Sequence, residues 1–300
     1  MRTLLQLVVN GVALGSAYAM VALGFCAIHR ATGVVNFAQG AMVLLGAYVV
    51  STATLDHGLP FALAVALGVA AVAAVGALFS LAILSRVEGQ PAFAAVMLTI
   101  GLNIILVAGV SAVFGNNGRA AGTGDPWGAS ALHLGGVVVL WDRLWAVVVT
   151  LVALAAFTGF DRWTRYGVAT RATVADAEAA LAAGVPVGRV KALAWALAGA
   201  LATLAGVFLS ASPNVLDPTL SDVALLAFPA VIVGGLDSPA GAVAGGLVTG
   251  VVYELVDGYS GSLAFLGHGF YAVAPYAVMV GVLLLRPHGL FGRRPSQRLG

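Results

Sequence analysis

Side chains able to do chemistry are sparse in this 300-residue chain, and their spacing excludes most of it. The five histidines, His29, His57, His133, His268 and His288, never stand three or four residues from one another, so no metal pair or HExxH helix forms. No Ser/His or paired-Asp arrangement is present, and no GxxxxGK(S/T) loop is there to cradle a nucleotide phosphate. The chain reads as a non-enzyme with no cofactor or metal of its own. Cys26 is the single cysteine, which rules out an intrachain disulfide. Charge concentrates in one place, Asp161 to Lys191, where five basic and three acidic residues fall within 31 positions around an alanine-rich helical pattern. Asp176 and Glu178 flank small-residue faces there, Gly184 is placed as a C-terminal stop, and Pro186 prevents continuation. A short, stiff helix from Arg171 to Gly184 fits a groove on a partner protein.

The elements that must present this stretch are lipid-soluble. Hydrophobic residues make up 61% of the chain and charged residues 9%, with mean hydropathy +1.02, against about 25% charged in a soluble domain. The expected fold class is all-α, a polytopic transmembrane helix bundle in the lipid bilayer, with residues 1–300 forming one domain. An Asp, Lys or Arg at mid-membrane costs about 2.5 to 3.5 kcal/mol, so charge-free intervals mark the spans. Candidates are Leu4 to Ile28, Ala31 to Leu55, Leu59 to Ser85, Ala92 to Gly115, Leu144 to Phe160, Ala192 to Ser210, Val223 to Leu236, Ser238 to Tyr253 and Gly269 to Leu285. That predicts eight to nine membrane segments. Val223 to Leu236 has 14 residues where a span needs about 20. With Pro229, Gly234 and Gly235 inside it, it reads as short, broken or partly re-entrant. Irregular backbone at that depth requires protein or a water-filled cavity over it, which points to a solute path. The first segment imitates a secretory signal through Arg2 and Ala17-Tyr18-Ala19, but its apolar run continues through Ile28, so it is expected to be retained.

With Asp161 to Lys191 in the cytoplasm and nine alternating segments, eleven Lys and Arg lie inside and three, Arg2, Arg119 and Arg143, lie outside. The N-terminus is then outside and the C-terminal tail cytoplasmic. The net charge of +2 is small and dispersed, which gives no reason to expect a nucleic-acid partner. None of the 14 basic and 12 acidic residues falls at a segment centre; Asp222, Glu254 and Asp257 come nearest, beside predicted ends. Ion-coupled carriers hold an ionisable relay inside the membrane, so energy for transport is expected to arrive from a partner through the polar helix. An ion-coupled carrier working alone is the competing reading. Gly241 with Gly245, and Gly246 with Gly250, are four apart and are expected to form a packing ridge along one helix face. Asn36 and Gln39, at the start of an apolar helix, either cap freed backbone groups or face a ligand. The connection from Asn116 to Arg143 is either a cap over the outer face or a loose loop. Gly-containing turns followed by helices near 30–48 and 228–250 suggest two related halves.

Several blocks then carry a resemblance. Glu178-Ala179-Ala180 followed by Gly184 resembles the EAA loop by which ABC-importer permeases dock onto their ATPase, although the second half of that motif is not matched. LVVNGVALGSAYAMVALGF, GVVNFAQGAMVLLGAY, MLTIGLNIIL, GVPVGRVKALAWALAGALATLAGVFLS, FPAVIVGGLDSPAGAVAGGLVTG and LRPHGLFG are similar, in order from Leu7 to Gly292, to the branched-chain amino-acid permease family, LivH type. The resemblance implies a permease subunit of an importer for branched-chain or other neutral amino acids, with urea and short amides as the alternative substrates. It also implies a second, related permease, two cytoplasmic ATPases that bind the ATP, and an extracytoplasmic solute-binding protein. ATPase coupling is expected of Arg171, Asp176, Glu178, Ala179, Ala180, Gly184 and Arg189. The translocation path is expected to include Asn36, Gln39, Thr99, Asn103, Pro229, Gly234 and Gly235.

Overall fold

The computed structural model describes residues 2–87, 89–120, 122–127, 130–134, 137–211, 214–262 and 269–292. Arg293, Arg294 and Arg298 of the inner charge count, and His268, lie outside the described residues. In chain order the helices are α1 (Arg2–Thr32), α2 (Gln39–Ser51), α3 (Phe61–Ala82), α4 (Ala92–Phe114), α5 (Trp141–Trp163), α6 (Arg165–Ala175), α7 (Ala177–Ala182), α8 (Val187–Leu209), α9 (Val223–Gly234), α10 (Pro239–Gly258) and α11 (Phe270–Leu285). Strands β1 (Ala131–Leu134) and β2 (Val137–Leu140) form an antiparallel hairpin before α5. Each expected span holds one helix, and the chain is an all-α polytopic bundle. Of these helices α1, α3, α4, α5, α8 and α10 are long and apolar enough to cross a membrane, while α9 and α11 are shorter and apolar.

Helix ends reach further than the charge-free intervals, because charged residues are accommodated near a membrane boundary. α1 runs through His29 and Arg30, where Arg30 donates twice to the Asp161 carboxylate at 3.2 Å. α5 starts at Trp141 and takes Asp142 and Arg143 into its first turn; α10 continues past Tyr253 to include Glu254 and Asp257.

α1 is the central element, packed against α10, α8, α5 and α9, and Ala19 to Leu23 have no exposure at all. Lipid offers little hydrophobic drive for helices to associate, so small residues that permit backbone contact set the geometry. A Cβ on Gly250 would lie 2.3 Å from the Gly15 Cα, and one on Gly246 would lie 2.6 Å from the Ala19 Cα. The expectation that all four α10 glycines share a face is corrected here. Gly246 and Gly250 face α1, whereas Gly241 and Gly245 face Gly234 and Ala230 of α9. The reason is helical geometry: Gly245 and Gly246 are consecutive and so point about 100° apart. α10 is therefore gripped on two sides.

At the α1 N-terminal end the connection between α4 and α5 forms a cap. The Arg119 and Leu216 backbones bond to each other at 2.8 and 3.1 Å, and the Arg119 side chain donates to Asp56 at 3.1 Å. The Gln6 side chain exchanges two hydrogen bonds with the Val138 backbone. Trp127 stacks on Trp145 and Phe208 and meets the Phe61 edge.

Replacing Gly250 by Val should cost about 1 to 3 kcal/mol through overpacking, read as a lowered unfolding midpoint of the detergent-purified protein. Gly101→Ala, whose Cβ would meet nothing within 4 Å, should leave that midpoint in place. Equal behaviour of the two variants would remove the α1–α10 contact as a determinant of stability.

Candidate functional site

The polar stretch folds back on the bundle immediately after α5. A Cβ on Gly167 would lie 2.2 Å from the Asp161 carbonyl oxygen, so only glycine lets α6 turn this tightly. Thr164 caps α6 by accepting from the Gly167 N–H at 3.1 Å. Asp161 is the joint: Arg30 of α1 and Arg171 of α6 both pair with its carboxylate, at 3.2 and 3.6 Å. Arg171 also donates to the Asp161 carbonyl.

The continuous helix expected from Arg171 to Gly184 is interrupted. Asp176 is extended (φ −162°, ψ 107°), and its carboxylate accepts from the Glu178 and Ala179 N–H groups at 3.0 Å each. An aspartate competes poorly for helix interior but well for an N-cap, so it closes α6 and opens α7. Gly184 ends α7 as expected, with φ +83°. The Gly184 and Val185 N–H groups donate to Leu181 and Ala180 at 2.9 Å, and Pro186 precedes α8. Ala180 is buried; Glu178, Ala179 and Arg189 are exposed. A feature that the charge count concealed is apolar exposure on these polar helices. Leu181 is 59% exposed, with Tyr166, Val168 and Val174 also open, and Trp163 at the end of α5 just before them is 87% exposed. Across a cleft of about 570 Å³, Arg171 and Val174 face Asp237 and Pro239 at the α9–α10 turn and Phe291 beyond the end of α11. Asp237 lies 3.2 Å from the His29 ring.

The expected path residues divide into two groups. After Thr32 the chain turns back, so that α2 starts beside Gly24, whose Cβ would lie 2.1 Å from the Gln39 amide nitrogen. That is eight residues back along α1, a depth of about 12 Å. Non-helical backbone is buried here, and side chains satisfy it. Asn36 donates to the Gln39 oxygen at 3.0 Å and accepts from the Ala38 N–H, Gln39 donates to the Ala198 carbonyl at 3.3 Å, and Thr99 accepts from the Phe37 N–H at 3.2 Å. Asn36, Gln39 and Thr99 have no exposure. Asn103 lies one turn beyond Thr99 on α4 and is half-buried.

From the other end the chain after α8 re-enters through a 3₁₀ turn, Pro218–Asp222, and meets the start of α2: a Cβ on Gly40 would lie 1.9 Å from the Ser221 carbonyl oxygen. The segment around Pro229 is short, but it is not broken there. α9 runs continuously through Pro229, and the irregular backbone precedes it. Proline lacks the N–H that would bond the carbonyl four residues earlier; that carbonyl, of Leu225, accepts instead from the Tyr276 hydroxyl at 2.7 Å. Phe228 joins this region to the first group by stacking on Phe37 at 6.5 Å. Gly234 and Gly235 stand apart, packed on Gly241 and Gly292 near the His29–Asp237 contact.

A multi-pass bundle with a discontinuous interior and a polar, partly apolar-exposed pair of helices at one end has the layout of a membrane transport component. The family described as "Branched-chain amino acid transport system / permease component" matches residues 7–285, and the chain belongs to it. It is 32% identical over 309 residues to the high-affinity branched-chain amino acid transport system permease protein LivH of Salmonella typhimurium, covering 98% of this chain and 97% of that one. It is 29% identical to the permease protein BraD of Pseudomonas aeruginosa, with 98% of each chain covered. To the probable LivH of Methanocaldococcus jannaschii it is 27% identical, over 91% of this chain and 88% of the relative. No solved structure matches.

Removing the cap with Asp176→Ala should cost α7 about 1 kcal/mol, so that amide exchange at Glu178 and Ala179 quickens roughly fivefold. Asp176→Asn should restore slow exchange. Unchanged exchange in the Ala variant would deny Asp176 its role in separating α6 from α7.

Proposed function

We propose that this permease is one membrane-spanning half of an ATP-binding-cassette importer for branched-chain or related neutral amino acids. It works with a second related permease, two cytoplasmic ATPases that hold the ATP, and an extracytoplasmic binding protein. The observation that carries this reading is the exposed apolar and polar surface of α6 and α7, on helices otherwise fixed to the bundle through Asp161. Exposed apolar side chains of that number mark an interaction face. Glu178, Ala179, Leu181 and Arg189 offer contacts to an ATPase, while Arg171, Asp176, Ala180 and Gly184 hold the shape that presents them.

Movement of the docked ATPases pushes α6 and α7, and Asp161 passes the push to α1 and α5. Across the cleft the α9–α10 turn follows, so the interior alternates between access from outside and from inside. The path runs beside the re-entrant backbone at Asn36 to Gln39, with Thr99, Asn103 and the Pro229 to Gly235 segment lining or supporting it. The relatives' names support the substrate class, and the Lys and Arg bias supports a cytoplasmic α6–α7 with the N-terminus outside.

Coupling is tested in the reconstituted complex. Gly184→Val, which forces a β-branched residue into a left-handed backbone at about 1 to 2 kcal/mol, and Glu178→Trp should each lower ATP-driven leucine uptake at least fivefold. Wild-type uptake in both would sink the docking role.

Topology is tested with Leu181→Cys. Native Cys26 is buried, so a membrane-impermeant maleimide should label the variant in inverted vesicles and not in intact cells. Labelling from the outside would reverse the orientation.

A further inference from the structure

The end of the bundle opposite α6 and α7 holds a second polar site. A cavity of about 240 Å³ lies between α1, α5 and α10, with Asn10, Tyr18, Asp142, Arg143, Tyr253 and Glu254 in its wall. Drug-sized pockets occupy roughly 300 to 1,000 Å³, so this one suits a single small solute. Leu14 of α1, Ala146 of α5 and Phe208 of α8 add apolar side chains to its lining.

Its charges are incompletely paired. Arg143 donates to the Asn10 side-chain oxygen, and Glu254 is hydrogen-bonded to Asn10 within the field of Arg143. Asp142 is only 8% exposed, yet its Oδ1 has no hydrogen-bond partner. A buried, unpartnered carboxylate oxygen is expensive, and a cationic group held in the cavity beside Asp142 offsets that cost. The wall thus carries two carboxylates against one guanidinium, beside an apolar surface. This complements a molecule bearing an ammonium, a carboxylate and an apolar side chain.

We infer that this cavity is a binding station for a zwitterionic amino acid on the side of the membrane opposite α6 and α7. Asp142 and Glu254 receive the ammonium, Arg143 receives the carboxylate, and Leu14, Ala146 and Phe208 contact the side chain. The charged groups lie within a turn or two of the ends of α5 and α10, where they are affordable. The inference rests on the importer reading given above and adds to it a site and a charge requirement.

The test uses the complete importer in liposomes with its loaded binding protein. Leucine imported per ATP hydrolysed should fall at least tenfold in Asp142→Asn and in Glu254→Gln, a ratio that is insensitive to how much complex assembles. Asp257→Asn, exposed further along α10, should keep the wild-type ratio. Ratios within twofold of wild type in both site variants would overturn the station. A wild-type complex that moves no neutral amino acid would overturn the importer reading itself. A second measurement avoids the buried carboxylates. Asn214→Cys, exposed at the cavity edge, should be protected from a thiol reagent by L-leucine in the purified full-length chain. Neither 3-methylbutylamine nor 4-methylpentanoate, each lacking one charge, should protect it. Equal labelling with and without leucine, or equal protection by a singly charged analogue, would overturn the zwitterion site.

Discussion

Backbone contact between α1 and α10 is the constraint from which the rest of the bundle follows. Gly11 and Gly15 of α1 meet Gly246, Gly250 and Val251 at distances that exclude any side chain. Dispersion at such close range is what holds helices together when lipid competes equally for apolar surface. Because Gly241 and Gly245 use the adjoining face of α10 to grip α9, the position of α9 is fixed relative to α1 as well. α9 is too short to cross a bilayer unaided, and α2 begins about 12 Å inside the end of α1. Both are tolerable only because this frame surrounds them with protein that meets their hydrogen-bonding needs.

Where the helical hydrogen-bond ladder is interrupted in mid-bundle, the sequence supplies side-chain partners for freed groups. Pro229 leaves the Leu225 carbonyl without its usual donor, and Tyr276 of α11 supplies one. The turn before α2 has its N–H groups accepted by Asn36 and Thr99. These two regions touch through Gly40 and Ser221, and through the stacked rings of Phe37 and Phe228. The discontinuity between α9 and α2 is sealed by side-chain amides and hydroxyls.

Much of this order was legible in the chain. Charge-free runs located every long helix, since an ionisable group at mid-membrane is too costly to place at random. Gly184 was legible as a stop because a positive φ before proline has few other solutions. The break at Asp176 was not, because alanines on both sides favour helix and a capping aspartate looks like an interior one until its side chain is seen accepting from Glu178 and Ala179. Hydropathy ranks how apolar a segment is and carries no depth. The re-entry at Asn36 therefore lay hidden inside an apolar run that seemed to start at Ala31. The separation of the glycine ridges depends on which neighbour each one meets, and spacing alone does not say. Asp142 and Arg143 carried a faint signal, two opposite charges at the mouth of an apolar segment, but their convergence with Glu254 needs α5 and α10 to be brought together by α1.

The two ends of the bundle use the same charged groups to different effect. At the α6 end, Asp161 is shared by Arg30 and Arg171, so its carboxylate is satisfied twice and ties three helices together. Through Asp161, α6 is tied to α1 and α5 together, and α1 is tied to α10 by backbone contact with no flexible side chain between them. At the opposite end the arithmetic reverses. There one guanidinium serves two carboxylates, and Asp142 keeps an oxygen without a donor. Satisfied charges make a joint, and unsatisfied ones make a site that a ligand can complete. A chain that is nearly free of charge along its length thus places one charged cluster as a joint between three helices and the other around a cavity, the binding station inferred above.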